Sequence, residues 1–120
     1  MKYLFYILVL LGFGFVQAQT TNTGLPIGIT TGTTVTVTGG DFTSEGNVLN
    51  DGTLIAGQTI SIPGTYSGAG EIRAVGGVQN IDLQGDAVAV FTASNGDKTL
   101  LSPLIIEDLT LNSTRLITDG

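Results

Sequence analysis

The sequence predicts an all-β fold, most simply a parallel β-helix (β-solenoid), with a β-sandwich as the alternative. Three observations point there. Threonine and glycine each number eighteen, and all the threonines and sixteen of the glycines follow residue 18; β-branched residues suit strands and glycine suits the turns between them. Short runs of alternating apolar and polar residues recur down the chain, each closed by a turn dipeptide. After residue 18 no window repeats apolar residues at the spacing of an amphipathic helix.

The first element is different in kind. Met1 and Lys2 precede the uncharged run Tyr3 to Val16 (YLFYILVLLGFGFV), and Val16-Gln17-Ala18 has the small-residue pattern of a signal peptidase site. Fourteen apolar residues fall short of the roughly 20 that a helix needs to span a bilayer. Residues 1–18 are therefore expected to be a helical signal peptide, cleaved so that the exported chain starts at Gln19. No cysteine follows it to accept a lipid.

Residues 19–32 (QTTNTGLPIGITTG) contain Pro26 and read as an irregular lead-in with a short strand around Ile27 to Thr30. Residues 33–120 form the solenoid-like domain, expected to be incomplete at its carboxy-terminal end. Thr34 to Thr38 alternate strictly, with Val35 and Val37 on one face, and Gly39-Gly40 ends the run. Further runs follow at Asn47 to Asn50, Thr53 to Ala56, Thr59 to Ile62, Glu71 to Val75, Asn80 to Gln84, Ala87 to Phe91, Leu104 to Asn112 and Arg115 to Thr118. Asp51-Gly52, Pro63-Gly64, Gly76-Gly77, Gly85-Asp86, Asn95-Gly96-Asp97 and Ser102-Pro103 punctuate them.

Runs beginning at Val35, Thr53, Glu71, Ala87 and Leu109 are separated by 18, 18, 16 and 22 residues, and those at Ile60, Ile81 and Leu104 by 21 and 23. Such intervals suit a solenoid coil; counted strand by strand, the closer spacing suits a sandwich. The alternation places Val35, Val37, Ile60, Ile62, Ile72, Ile81, Leu83, Val88, Val90, Leu109 and Leu111 in the core.

The phrases Asn50-Asp51-Gly52-Thr53-Leu54 and Leu109-Thr110-Leu111-Asn112, and the stretch Leu104 to Gly120 as a whole, resemble the imperfect repeats of bacterial surface β-helices. The likeness is to autotransporter passenger domains and to adhesin-like proteins exported by the type IX route. It implies a secreted or cell-surface structural or adhesive solenoid, of which this chain would be a short amino-terminal piece.

Composition excludes several chemistries. The chain has no histidine and no cysteine, so Ser-His-Asp and Cys-His catalysis and zinc clusters are out of reach. After residue 18 only Arg73, Lys98 and Arg115 oppose ten acids, a balance that repels nucleic acid and anionic lipid. A glycosidase needs a carboxylate pair, for which Asp82 with Asp86 or Glu107 with Asp108 are the close candidates. The first pair reads as a solvated strand face plus a turn residue, and an extended backbone would point the second pair to opposite faces.

Gly76 to Leu83 resembles a calcium-binding nonapeptide with its aspartate one place late, and Asn95-Gly96-Asp97 reads as a turn rather than a ligand set. Thr34, Thr36 and Thr38 form a TxTxT row that later runs do not repeat, and Asn112-Ser113-Thr114 fits a glycosylation sequon. The expectation is no catalytic residue, no metal site and no cofactor. The partner is expected to be an extracellular glycan or surface matrix, with self-association through an open solenoid end. For a carbohydrate-binding sandwich, Tyr66 is the one aromatic expected at the surface.

Overall fold

The computed structural model describes residues 20–118, so the expected signal peptide lies outside the described residues. Fourteen strands run in one direction around a common interior: β1 (Thr20–Asn22), β2 (Ile27–Ile29), β3 (Thr34–Val37), β4 (Phe42–Ser44), β5 (Val48–Asn50), β6 (Thr53–Ala56), β7 (Ile60–Ser61), β8 (Tyr66–Ser67), β9 (Glu71–Ala74), β10 (Gln79–Asp82), β11 (Ala87–Ser94), β12 (Lys98–Leu100), β13 (Ile105–Asn112) and β14 (Leu116–Thr118). They stack into three parallel walls. The first is β1-β4-β7-β10-β12-β14, the second β2-β5-β8 and the third β3-β6-β9-β11-β13. The chain is a β-solenoid of about five coils, which removes the sandwich alternative.

Thr53 stacks on Glu71 and Ile60 on Ile81, at the intervals of 18 and 21 read from the sequence. The other four intervals change. Val35 pairs with Leu54 rather than Thr53, Glu71 with Val90 rather than Ala87, Leu109 with Phe91 rather than Ala87, and Ile81 with Leu100 rather than Leu104. The stretch read as an irregular lead-in supplies β1 and β2, which pair with β4 and β5 as part of the first coil.

Inward side chains form columns along the stack. One runs Val35, Leu54, Ile72, Phe91, Leu109, and beside it Val37, Ala56, Ala74, Ala93, Leu111. Large residues in one column are flanked by mainly small ones in the next, so the third wall packs inward without crowding. Ile60, Ile62, Ile72, Ile81, Leu83 and Val88 are fully buried as expected, while Val35 and Val37 are half-buried against the core.

The expected core needs three corrections. Phe91 is buried and Val90 faces outward, because β11 bends: Val88 and Phe91 both point inward, three positions apart. The pairing of β11 with β13 skips Ala89 and Glu107 at the same place, so the bend is shared by both coils. Leu109 and Leu111 lie on the inward columns but are 44 % and 43 % exposed, since no described strand covers β13.

Corners approach closely. A Cβ on Gly76 would run into the carbonyl oxygen of Gly57 in the coil beneath, which only glycine avoids. Polar side chains bond the coils where the backbone turns: Asp41 Oδ1 accepts from Thr59 N at 3.2 Å, Asn47 Oδ1 from Thr65 N at 3.2 Å and Asp51 Oδ1 from Ala69 N at 3.0 Å. Each reaches the amide 18 residues on, one coil away. These side chains satisfy corner amides that the strand ladders leave unpaired.

Candidate functional site

The bend in β11 and β13 creates a concavity on the side of the stack. Among the described residues the second wall contains no strand beyond β8, and the space beside it is lined by Tyr66, Ser67, Gly68, Ala69, Ala87, Ala89 and Glu107. It is a shallow, open cleft of about 340 Å³. Glu107 supplies the one charged side chain of its lining. Cation contact or hydrogen bonding to a polyol is within reach of a lone carboxylate beside Ser67, whereas acid-base hydrolysis needs a second positioned group.

Neither candidate carboxylate pair faces a common point. Asp82 Oδ1 accepts from the backbone N and Nε2 of Gln84, both at 3.2 Å. Asp86 Oδ2 instead accepts from Tyr66 N at 2.8 Å, in the coil beneath. Between them Gln84 (φ 55°) and Gly85 (φ 85°) make a tight turn closed by Asp86 N to Leu83 O at 3.1 Å. Glu107 and Asp108 are both exposed, because the shared bend breaks the alternation that would have placed them on opposite faces. Glu107 borders the cleft, and Asp108 stacks outward on Val90.

The glycine turn singled out for calcium holds a cation of another kind. Lys98 is fully buried, and its Nζ donates to the carbonyl oxygens of Gly76 at 2.6 Å and Gly77 at 2.7 Å. Burial pushes its pKa down, against a weaker upward pull from Asp97. Gln79, one coil lower in the same column, does the equivalent work with Nε2 on Ala56 O and Gln58 O. In the next corner Thr114 Oγ1 donates to Gly96 O.

Asp97 is paired with Arg115, which stabilises its charged form and lowers its pKa. Among the described residues, no three metal-ligating side chains cluster.

Tyr66 is buried rather than exposed, at 3 %. Its hydroxyl accepts from Asn50 Nδ2 at 3.0 Å, and burial raises its pKa. Asn50 also donates to Glu71 O and accepts from Gly52 N, so one side chain ties a corner to two neighbouring segments. Phe42 and Phe91 are buried too, so no aromatic among the described residues offers an exposed face to a sugar ring.

The outward row over Thr34 continues Thr53, Glu71, Val90, Asp108, and that over Thr36 continues Ile55, Arg73, Thr92, Thr110. Glu71 binds both Arg73 and Thr92 within this surface, at 2.9 and 2.6 Å. Asn112 of the sequon is exposed at the end of β13.

Buried Lys98 and Asn50 had no signal in the sequence, where a lone lysine in Asn-Gly-Asp-Lys and an asparagine in Asn-Asp-Gly both read as turn polarity. Comparison of the sequence with known protein families, with curated proteins and with solved structures finds no match.

Proposed function

We propose that this protein is a secreted or cell-surface structural module of adhesion type, without catalytic activity, whose partner is an extracellular glycan or surface matrix. One observation supports this above the others: the polar side chains are spent on holding coil to coil. Asp41, Asp51 and Asp86 accept backbone amides of neighbouring coils, Asp97 holds Arg115, and Lys98 and Gln79 cap corner carbonyls. Such a distribution stiffens an acidic stack of coils, and it turns Asp82 and Asp86 to separate backbone partners rather than to a common point for acid-base work. The export reading rests on Lys2, the apolar run to Val16 and the small-residue site at Ala18.

Expression of residues 1–120 ahead of a reporter that matures only outside the cytoplasm tests export. An active reporter and an intact mass beginning at Gln19 are the expected results. A cytoplasmic product that retains Met1 overturns the secreted assignment. Adhesion is tested on immobilised extracellular polysaccharides and matrix preparations, where retention without turnover is expected and release of shortened glycan contradicts the non-catalytic reading.

A further inference from the structure

We propose that the cleft beside β8 binds a sugar ring bearing a free amino group, as one ammonium-carrying residue of an extracellular glycan. The inference rests on the glycan-partner reading above and names the face and the class of sugar.

A change of register inside the stack builds the cleft. Ile60 stacks on Ile81, 21 residues on, whereas Glu71 stacks on Val90, 19 residues on. The fourth coil (β10 and β11) is therefore shorter than the third (β7 to β9) between these points, and the loss falls at a corner. The third coil turns through Gly68-Ala69-Gly70 between β8 and β9, while the fourth runs from Ala87 to Ser94 as one bent strand. The fifth coil (β12 and β13) follows the fourth in register. The third-coil corner is left as a ledge, with Ala87 and Ala89 walling the space above it and Glu107 over them.

Charge selects the occupant. Glu107 is exposed and belongs to neither ion pair found among the described residues. Two further acids flank the space: Asp86, whose Oδ2 accepts from Tyr66 N, and exposed Asp108. The basic groups lie elsewhere. Arg73 is held by Glu71 at 2.9 Å, and Lys98 and Arg115 sit at the corner between the third and first walls. The field in the cleft is negative, so an acidic glycan is repelled, a neutral one gains nothing from it and an ammonium is drawn in.

Shape and lining favour a ring over a bare cation. The volume of about 340 Å³ lies in the range of roughly 300–1,000 Å³ usual for small-molecule sites. Ala69, Ala87 and Ala89 offer methyl groups to the C–H face of a pyranose, Ser67 a hydroxyl to its hydroxyls, and Glu107 a carboxylate to its ammonium. That last contact is charge-assisted and the strongest of the set. A lysine side chain would use Glu107 and leave Ser67 without a partner.

Titration calorimetry of the full chain with glucosamine oligomers, at mildly acidic pH where the sugar amine is protonated, tests this against oligomers of N-acetylglucosamine, which lack the charge. Binding of the first alone, weakened by salt, is the expected result. Glu107→Gln is expected to weaken it about 10- to 100-fold. Glu45→Gln, the same loss of charge at an exposed acid outside the cleft, is expected to leave it nearly unchanged. Ala87→Leu fills the cleft without altering charge and is expected to abolish binding with unchanged circular dichroism.

Equal weakening by Glu107→Gln and Glu45→Gln means attraction to overall acidity and overturns the inference, as does equal binding of the two oligomers. A lysine-rich peptide that binds through Glu107 where the glucosamine oligomer does not also overturns it. Retention on neutral glycans that survives both Glu107→Gln and Ala87→Leu, with no binding of the amino sugar, overturns the cleft assignment and leaves the glycan-partner reading standing. Retention on no glycan at all removes that reading too.

Discussion

Lys98 places its ammonium 2.6 Å from the carbonyl oxygen of Gly76, in the corner one coil beneath it, and is itself fully buried. Corners are where a solenoid has backbone carbonyls that point away from every ladder, and here a single cation gathers those of Gly76 and Gly77. Lys98→Met keeps most of the stem and leaves both carbonyls without that donor. It is expected to destabilise the protein by about 1–3 kcal/mol, measured by urea unfolding near neutral pH.

The same residue sets a pH dependence. Burial lowers the folded pKa of Lys98, so between that value and the unfolded value of about 10.4 the unfolded state binds more protons, and stability rises with pH across that window. Below the folded pKa both states are protonated and the contribution is flat. Tyr66 has the opposite sign: its pKa is raised by burial, and its contribution declines as pH rises past the unfolded value of about 10. Subtracting the unfolding free energy of Lys98→Met from that of the unmodified protein, from pH 7 to 10, is expected to leave an upward slope assignable to Lys98.

Asn50 is expected to matter more than its place in an Asn-Asp-Gly turn suggests. It is fully buried and bonds Tyr66, Glu71 and Gly52. Tyr66→Phe removes one of these bonds and should cost about 0.5–1.5 kcal/mol. Asn50→Ala strands several groups at about 1–3 kcal/mol each, and its effect should exceed that of Tyr66→Phe. A double-mutant cycle on the two is expected to show coupling, since removing either partner already breaks their shared bond.

Gly76 and Gly77 are neighbours with opposite expected tolerances. A Cβ at Gly76 collides with the Gly57 carbonyl, while one at Gly77 meets nothing within 4 Å. Gly76→Ala should lower stability by about 1–3 kcal/mol through overpacking. Gly77→Ala should be neutral or stabilising by up to about 1 kcal/mol, because it restricts the unfolded chain. Thermal unfolding of the two variants side by side checks the close coil-to-coil approach.

Phe91 and Val90 test the bend in β11. Phe91→Ala is expected to cost about 3–5 kcal/mol, since Phe91 is fully buried between Ile72 and Leu109 in its column. Val90→Ala, on the outer face, should stay within roughly 0.5 kcal/mol as a surface substitution. Equal costs for the two, measured by denaturant unfolding, would contradict the bend.

Alternation and turn chemistry are local, and the sequence alone determined what depends on them: the all-β class, strands such as Thr53–Ala56 and Ile105–Asn112, and coil intervals such as Thr53 to Glu71. It also excluded histidine and cysteine chemistry and read Asp86 and Asn95-Gly96-Asp97 as turn residues. The tertiary structure decided the rest. Stacking in register chose the solenoid over the sandwich, because both are made of the same short strands and differ only in which strand lies beside which. The bend at Ala89 and Glu107 turned Val90 outward and Phe91 inward, since a period of two fixes facing only while the strand stays straight. Lys98 and Tyr66 became interior because their partners come from coils about twenty residues away, and proximity of that kind arises only when the chain closes each turn upon the last.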